Sequence, residues 1–262
     1  MENPIRDHPI CAMKKPNVLI TRPLDQHKNI ESLCRSAGFC VTLLPCIEIV
    51  PVAVDSACLE NALATHEHVL FTSANAVHHA HRLIDLPWPN KKVHAIGHAT
   101  AQLLGSYGQA LFANPQAPFN SEQFVRLRIS QPAASLLIIK GQGGRNHIHR
   151  KLTELDWQVS TQSVYARMQP EVSPELIRAL FDHQTPDVVS VTSDENLRNL
   201  MNLCRPYIEQ LRETSLVVNS QRCADLAVEQ GFREHIMVAN PPGDAGQLAC
   251  LNQWKERFWD GK

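Results

Sequence analysis

The sequence predicts an α/β protein made of two similar lobes, each a parallel sheet with helices on both faces. Short β-rich apolar runs alternate with helical segments along nearly the whole chain, the pattern of parallel strands joined by crossover helices. The strand–turn–helix units also recur after about 120 residues. Val18-Leu-Ile-Thr-Arg22 finds a counterpart in Leu136-Leu-Ile-Ile-Lys-Gly141, Val69-Leu-Phe-Thr-Ser73 in Val189-Ser-Val-Thr-Ser193, and Val93-His-Ala-Ile-Gly97 in Leu216-Val-Val-Asn-Ser220. A period this long is a duplicated lobe, not a solenoid repeat. Finally, two proline-bearing extended stretches, 46–52 and 165–171, offer crossing points between lobes, since proline confines a strand to an edge or a connector.

Each element has a local reason. A strand at 17–21 leads into a helix over 23–37, with Pro23 in the first turn, where a missing N–H costs nothing, and Gly38 just past the end. A strand at 40–44 precedes the first connector. Helix 55–65, strand 68–71 and helix 74–85 follow, with Ser73 suited to cap the last. After a Pro-Trp-Pro loop come strand 92–96, helix 99–106, helix 121–129 and strand 135–139. Gly141-Gln-Gly-Gly-Arg145 opens helix 146–155, and strand 158–164 runs into the second connector. Helix 173–182, strand 187–191, helix 194–203, strand 215–219, helix 222–230 and a short strand near Ile236 complete the alternation. A last helix over 244–258 spaces Leu248, Leu251 and Trp254 to face a core. This predicts one lobe from both chain ends (17–45 plus 172–262), the other from 53–164, two linkers (46–52 and 165–171), a cleft between the lobes, and a loose extension over 1–16.

Composition narrows the function. The 262 residues are 44% hydrophobic and 19% charged with a net charge of −1, so no overall basic field points to nucleic acid. No apolar run approaches the length of a membrane span. The eight cysteines include no C-x-x-C pair and sit largely in apolar stretches, which suits reduced core thiols in a cytoplasmic protein. Nothing demands more than a monomer. Residues 1–16 carry charges and prolines without an apolar core and do not read as a secretory signal. Of the 13 histidines, the pairs His66/His68 and His147/His149 and the group His78, His79 and His81 are the closest. No cysteine or carboxylate completes a metal-ligand spacing, so they read as solvent-exposed histidines and no metal or cofactor is expected.

Candidate chemistry lies at the turns after the strands. Helix N-termini at Arg22, Ser73, Gly97, Gly141, Ser193 and Ser220 present unpaired backbone N–H groups and partial positive charge, which suits a ligand with several anionic groups. Taken singly, each serine is equally a plain cap. Gly141-Gln-Gly-Gly-Arg145 falls short of a dinucleotide fingerprint and of a P-loop, and reads as an anion-binding turn flanked by Lys140 and Arg145. G-x-S-x-G and H-E-x-x-H are both missing, which removes support for acyl transfer and zinc proteolysis. Tyr165, at the second connector, could reach a cleft as a hydrogen-bond donor or simply pack at a junction. The residues alone thus leave an enzyme and a non-catalytic sensor of an anionic metabolite both open.

At these positions the chain resembles uroporphyrinogen-III synthases. The matching pieces are Val-Leu-Ile-Thr-Arg-Pro (18–23), Leu-Pro-Cys-Ile-Glu-Ile (44–49), Phe-Thr-Ser-Ala-Asn-Ala-Val (71–77), Ala-Ile-Gly-His-Ala-Thr-Ala (95–101), Lys-Gly-Gln-Gly-Gly-Arg (140–145), Val-Tyr-Ala-Arg (164–167) and Thr-Ser at 192–193. The resemblance implies a two-lobed enzyme that closes the linear tetrapyrrole hydroxymethylbilane, which carries eight carboxylates, into uroporphyrinogen III. Ring D is inverted, water is lost, and no cofactor is used. It implies a transient handover of substrate from hydroxymethylbilane synthase. It assigns Tyr165 as general acid and makes Arg22, Thr72, Ser73, Gly97, Thr100, Lys140, Gly141, Arg145, Thr192, Ser193, Ser220 and Arg222 substrate-binding. The chain departs from the family at Asn219-Ser-Gln-Arg222, where many members have glycine then threonine, and at Lys140, where arginine is common.

Overall fold

The computed structural model describes residues 15–260, in two compact units: one of 15–48 and 168–260, the other of 49–167. The sequence-expected extension falls largely outside the described residues.

Unit 1 holds a fully parallel sheet in the order β10-β9-β8-β1-β2, with β1 Asn17–Ile20, β2 Cys40–Leu43, β8 Val188–Val191, β9 Ser215–Val218 and β10 Ile236–Val238. The central strands are uninterrupted apolar runs because both faces are covered. On one face Leu19, Val189, Val191, Leu216 and Val218 pack with α7 (Pro174–His183), α8 (Asp194–Leu203) and α10 (Gln221–Glu229). On the other, Val18, Ile20, Val188 and Val217 pack with α1 (Lys28–Ser36) and α11 (Asp244–Phe258). An unexpected 3-10 turn (Arg205–Tyr207) and the short helix α9 (Ile208–Arg212) lie between α8 and β9.

Unit 2 holds the order β3-β7-β6-β4-β5, with β3 Glu48–Pro51, β4 His68–Phe71, β5 Lys92–Ala95, β6 Ser135–Gly141 and β7 Gln158–Met168. The β4–β5, β4–β6 and β6–β7 pairs are parallel. Its helices are α2 (Ser56–Thr65), α3 (Ala74–His81), α4 (His98–Ser106), α5 (Ser121–Arg126) and α6 (His147–Thr153).

Several expected boundaries move. The helix expected over 23–37 begins only at Lys28, because residues 23–26 form a separate turn closed by the Gln26 N–H on the Pro23 carbonyl (2.9 Å). The helix expected over 74–85 ends at His81, where the amides of Leu83 and Ile84 both turn back to the Ala80 carbonyl. The strand expected to stop at 164 continues to Met168, so Tyr165 is a buried sheet residue rather than part of a connector. Its neighbour β6 extends with it, through a register shift at Lys140/Gly141. The exposed reading of the histidines also fails in part: His66 and His68 are buried, as is His94. Among the described residues no helix is long and apolar enough to cross a membrane, and no group of three or more His, Cys, Asp or Glu is arranged to hold a metal. The described cysteines are free; burial pushes the thiols of Cys34 and Cys204 up to about 12, which keeps them protonated and unreactive.

Candidate functional site

In both sheets the chain winds outward in two directions from one point: between β1 and β8 in unit 1, and between β6 and β4 in unit 2. Folds of this kind open a ligand crevice there, at the carboxyl ends of the strands. Each of these points gathers turns that carry several of the sequence-expected site residues: those after β1 and β8 in unit 1, and those after β4 and β6 in unit 2.

In unit 2, the turn after β4 supplies Thr72 and Ser73, and the turn after β6 supplies Lys140 to Asn146. Tyr165 and Arg167 come from β7. Together they line a pocket of about 350 Å³. Gly143 and Gly144 adopt φ +75° and +76°, left-handed backbone that favours glycine. Lys140 reaches the Asn146 side chain at 3.4 Å, and partial burial lowers its pKa. Arg145 is exposed and meets Glu122 at 3.3 Å. Lys140, Arg145 and Arg167 line the pocket with no aspartate or glutamate among its lining residues, so its charge is cationic.

The Tyr165 side chain is 2% exposed, and its hydroxyl lies 3.0 Å from the Ser73 Oγ. Ser73 also caps α3 by accepting the Ala76 N–H at 3.1 Å. His79, on α3, stacks on the tyrosine ring at 5.6 Å between centroids, and the Arg167 guanidinium lies 6.0 Å from the ring centroid. Gly141 is a glycine for want of space: a Cβ there would come within 2.6 Å of Tyr165 Cζ and 2.9 Å of its hydroxyl. The tyrosine is thus clamped between α3 and the backbone of β6, with its hydroxyl at the pocket. Gly97, the N-cap of α4, and Thr100, buried in its first turn, are not among the residues that line this pocket.

Unit 1 treats the equivalent position differently. Thr21 Oγ1 lies 2.6 Å from the Ser190 carbonyl oxygen, and Asn196 Nδ2 donates to the Thr21 carbonyl at 2.8 Å. Arg22 is ion-paired with Asp244 at the start of α11 and donates to Gln247 Oε1 at 3.1 Å. Gln247 is fully buried; its Oε1 also accepts from Ser190 Oγ (2.9 Å) and its amide donates to the Val191 carbonyl (3.0 Å). Ser193 and Ser220 cap α8 and α10, accepting the amides of Asn196 and Cys223 at 3.2 and 3.3 Å. Thr192 stands half-buried just before the first cap. Arg222 is exposed and binds Asp194, in the first turn of α8, at 2.8 Å. Asn219 accepts the Gly243 N–H at 3.2 Å, so this atypical turn holds the loop that leads into α11.

Most of the residues named from the sequence thus stand at these two points, but three features were not anticipated: Arg167, the histidine clamp on Tyr165, and the internal pairing of Arg22. Arg167 was discoverable, two residues beyond Tyr165 on the same face of a strand. The other two depend on contacts between distant segments.

Comparison with known proteins agrees with this layout. A family model described as "Uroporphyrinogen-III synthase HemD" matches residues 28–245. A crystal structure of a uroporphyrinogen-III synthetase from Helicobacter pylori 26695 superposes with a TM-score of 0.62 at 15% identity, covering 92% of this chain and 99% of that one. A mutant uroporphyrinogen III synthase from the extremely thermophilic bacterium Thermus thermophilus gives a TM-score of 0.60, also at 15% identity and with the same coverage. At these identities the two structures speak to the fold alone.

Proposed function

Because this chain belongs to the uroporphyrinogen-III synthase family, which matches it from residue 28 to 245, we propose that its reaction is carried by the cationic pocket of unit 2 and the capped helix termini of both units. The activity is that of a lyase of tetrapyrrole biosynthesis. It cyclises hydroxymethylbilane to uroporphyrinogen III with inversion of ring D and loss of water. The sensor reading is not favoured.

The observation that carries the assignment to this pocket is its charge: three cationic side chains and no acid among its lining residues. A substrate bearing carboxylates gains charge-assisted hydrogen bonds there. Lys140 and Arg145 receive carboxylates, with backbone N–H groups of the Gly141–Gly144 turn and the hydroxyls of Thr72 and Ser73. In unit 1, Ser193, Ser220, Thr192 and Arg222 do the same, and Arg22 contributes as a braced charge. Gly97 and Thr100 line a further backbone donor set at α4.

The chemistry requires little from side chains. Hydroxymethylbilane ionises readily: the C–O bond to its hydroxyl breaks, the pyrrole nitrogen supplies the electron pair, and an azafulvene forms. A proton donated to the departing oxygen makes water the leaving group. We assign that proton to Tyr165. Ser73 Oγ accepts from the Ala76 amide and can donate its own hydrogen to the phenol oxygen, which leaves the phenol O–H for the substrate. Holding the substituted carbon of ring D near the cation then directs closure through a spiro intermediate, a gain from orientation. The same reading places the enzyme in the cytoplasm as a monomer that receives its unstable substrate from hydroxymethylbilane synthase.

The test is an isomer assay. Freshly generated hydroxymethylbilane is mixed with catalytic amounts of the protein, and the oxidised products are separated. Predominantly type III uroporphyrin is expected; type I alone, at the spontaneous rate, would remove the proposal.

A further inference from the structure

A second cationic group in unit 2 is unused by this reaction. Arg128, just beyond α5, is 4% exposed, yet no carboxylate among the described residues pairs with it and its Nε has no hydrogen-bond partner. Its Nη2 lies 2.7 Å from His94 Nδ1, and its Cζ sits 4.1 Å from the centroid of the Phe124 ring. His94 Nε2 is 2.9 Å from His68 Nδ1. With the guanidinium donating to Nδ1, the His94 hydrogen stands on Nε2 and donates to His68. Burial, and then the charge of Arg128, push the His94 pKa down to about 3, so this ring stays neutral and offers no countercharge. A buried cation without an anion is costly, because its lost hydration is not replaced.

Beside it lies a pocket of about 180 Å³ whose lining includes Phe112, Phe124, Asn114, Gln116, Gln123 and Arg128 itself. None of its lining residues also lines the Tyr165 pocket. Its size suits a few heavy atoms, well below the volume of an ordinary cofactor site. The guanidinium fork matches a planar carboxylate better than a spherical ion.

We propose that the pocket alongside β5 is a binding site for a small carboxylate, held by Arg128 and the surrounding amide side chains. The carboxylate belongs either to a free organic acid or to a side chain of a tetrapyrrole. Neither source depends on Tyr165 or on turnover.

Sodium acetate titrated into the full chain at constant ionic strength, against sodium chloride, is followed by amide NMR. Saturable shifts confined to the pocket, near Phe112, Gln123 and Arg128, are expected with acetate and not with chloride. Arg128→Gln should lose them. Gln123→Trp, at a partly exposed helix position, should block the pocket without disturbing the buried guanidinium, and serves if the arginine variant does not fold. Uroporphyrin added to the acetate complex separates the sources: displacement of acetate assigns the site to a tetrapyrrole side chain, and its retention to a free acid. Absence of saturable shifts, or their survival in Gln123→Trp, overturns the proposal. The isomer assay is unaffected by either result.

Discussion

The two points from which the sheets wind outward are built from matching parts and finished in opposite ways. Strand β6 sits between β4 and β7 as β1 sits between β8 and β2, so β1, β2, β8 and β9 correspond to β6, β7, β4 and β5. The chain order is permuted: β1 precedes β8, whereas β6 follows β4. The correspondence reaches individual caps. Ser73 and Ser193 have φ, ψ of −162°, 162° and −159°, 165°, and each accepts the amide three residues on. Yet in unit 2 the space beside these caps is an open cationic pocket, and in unit 1 Arg22 is bound by Asp244 and Gln247 of α11. One duplicated frame thus braces its arginine with two side chains of α11, while the other lines a pocket with Lys140, Arg145 and Arg167. A helix supplied by the chain end makes the difference.

The largest expected effect breaks the filled side. Gln247→Leu strands the Arg22 and Ser190 donors and the Val191 carbonyl in a buried site, and should cost about 3 kcal/mol by chemical denaturation. A loss under about 1 kcal/mol would mean the network is loosely made.

Removing the Tyr165 hydroxyl on the open side should act chiefly on rate. Tyr165→Phe should lower turnover about a hundredfold with the ratio of type III to type I product formed by the enzyme unchanged. Full activity would remove the general-acid role.

Acid distinguishes the units next. Folded His94 titrates near 3 against an ordinary 6.5, so the unfolded chain binds the proton more readily across that window. Stability then falls as pH drops from 6.5 toward 3, by up to about 1.4 kcal/mol per pH unit from this group. Denaturation at pH 7 and pH 5 should show a smaller drop for His94→Gln than for the parent chain. Equal slopes would show that the histidine does not carry it.

The smallest effect compares the caps. Ser73→Ala and Ser193→Ala should each cost about 1 kcal/mol through the lost cap. Ser73→Ala should slow turnover more than Ser193→Ala, because only the Ser73 hydroxyl touches Tyr165. Matching kinetic losses in both would erase the asymmetry between the units.

What the sequence by itself determined was local. Apolar runs located the strands, Ser73, Ser193 and Ser220 capped their helices, and Gly38 took its left-handed place at φ +86°. These follow from the preferences of a few adjacent residues, which act wherever the segment lies. The motifs of the resemblance likewise named many of the residues that gather at the points where the two sheets wind outward. Tertiary structure decided the rest. Tyr165 joined the sheet because β6 extends alongside it, and Gly141 admits its ring because no Cβ stands there. His68 and His94 were buried together by the pairing of β4 with β5. Arg22 met Asp244 and Gln247 from more than two hundred residues away. A charge at a turn looks the same in sequence whether it awaits a ligand or has a partner, since the partner is chosen by long-range packing that no local pattern encodes.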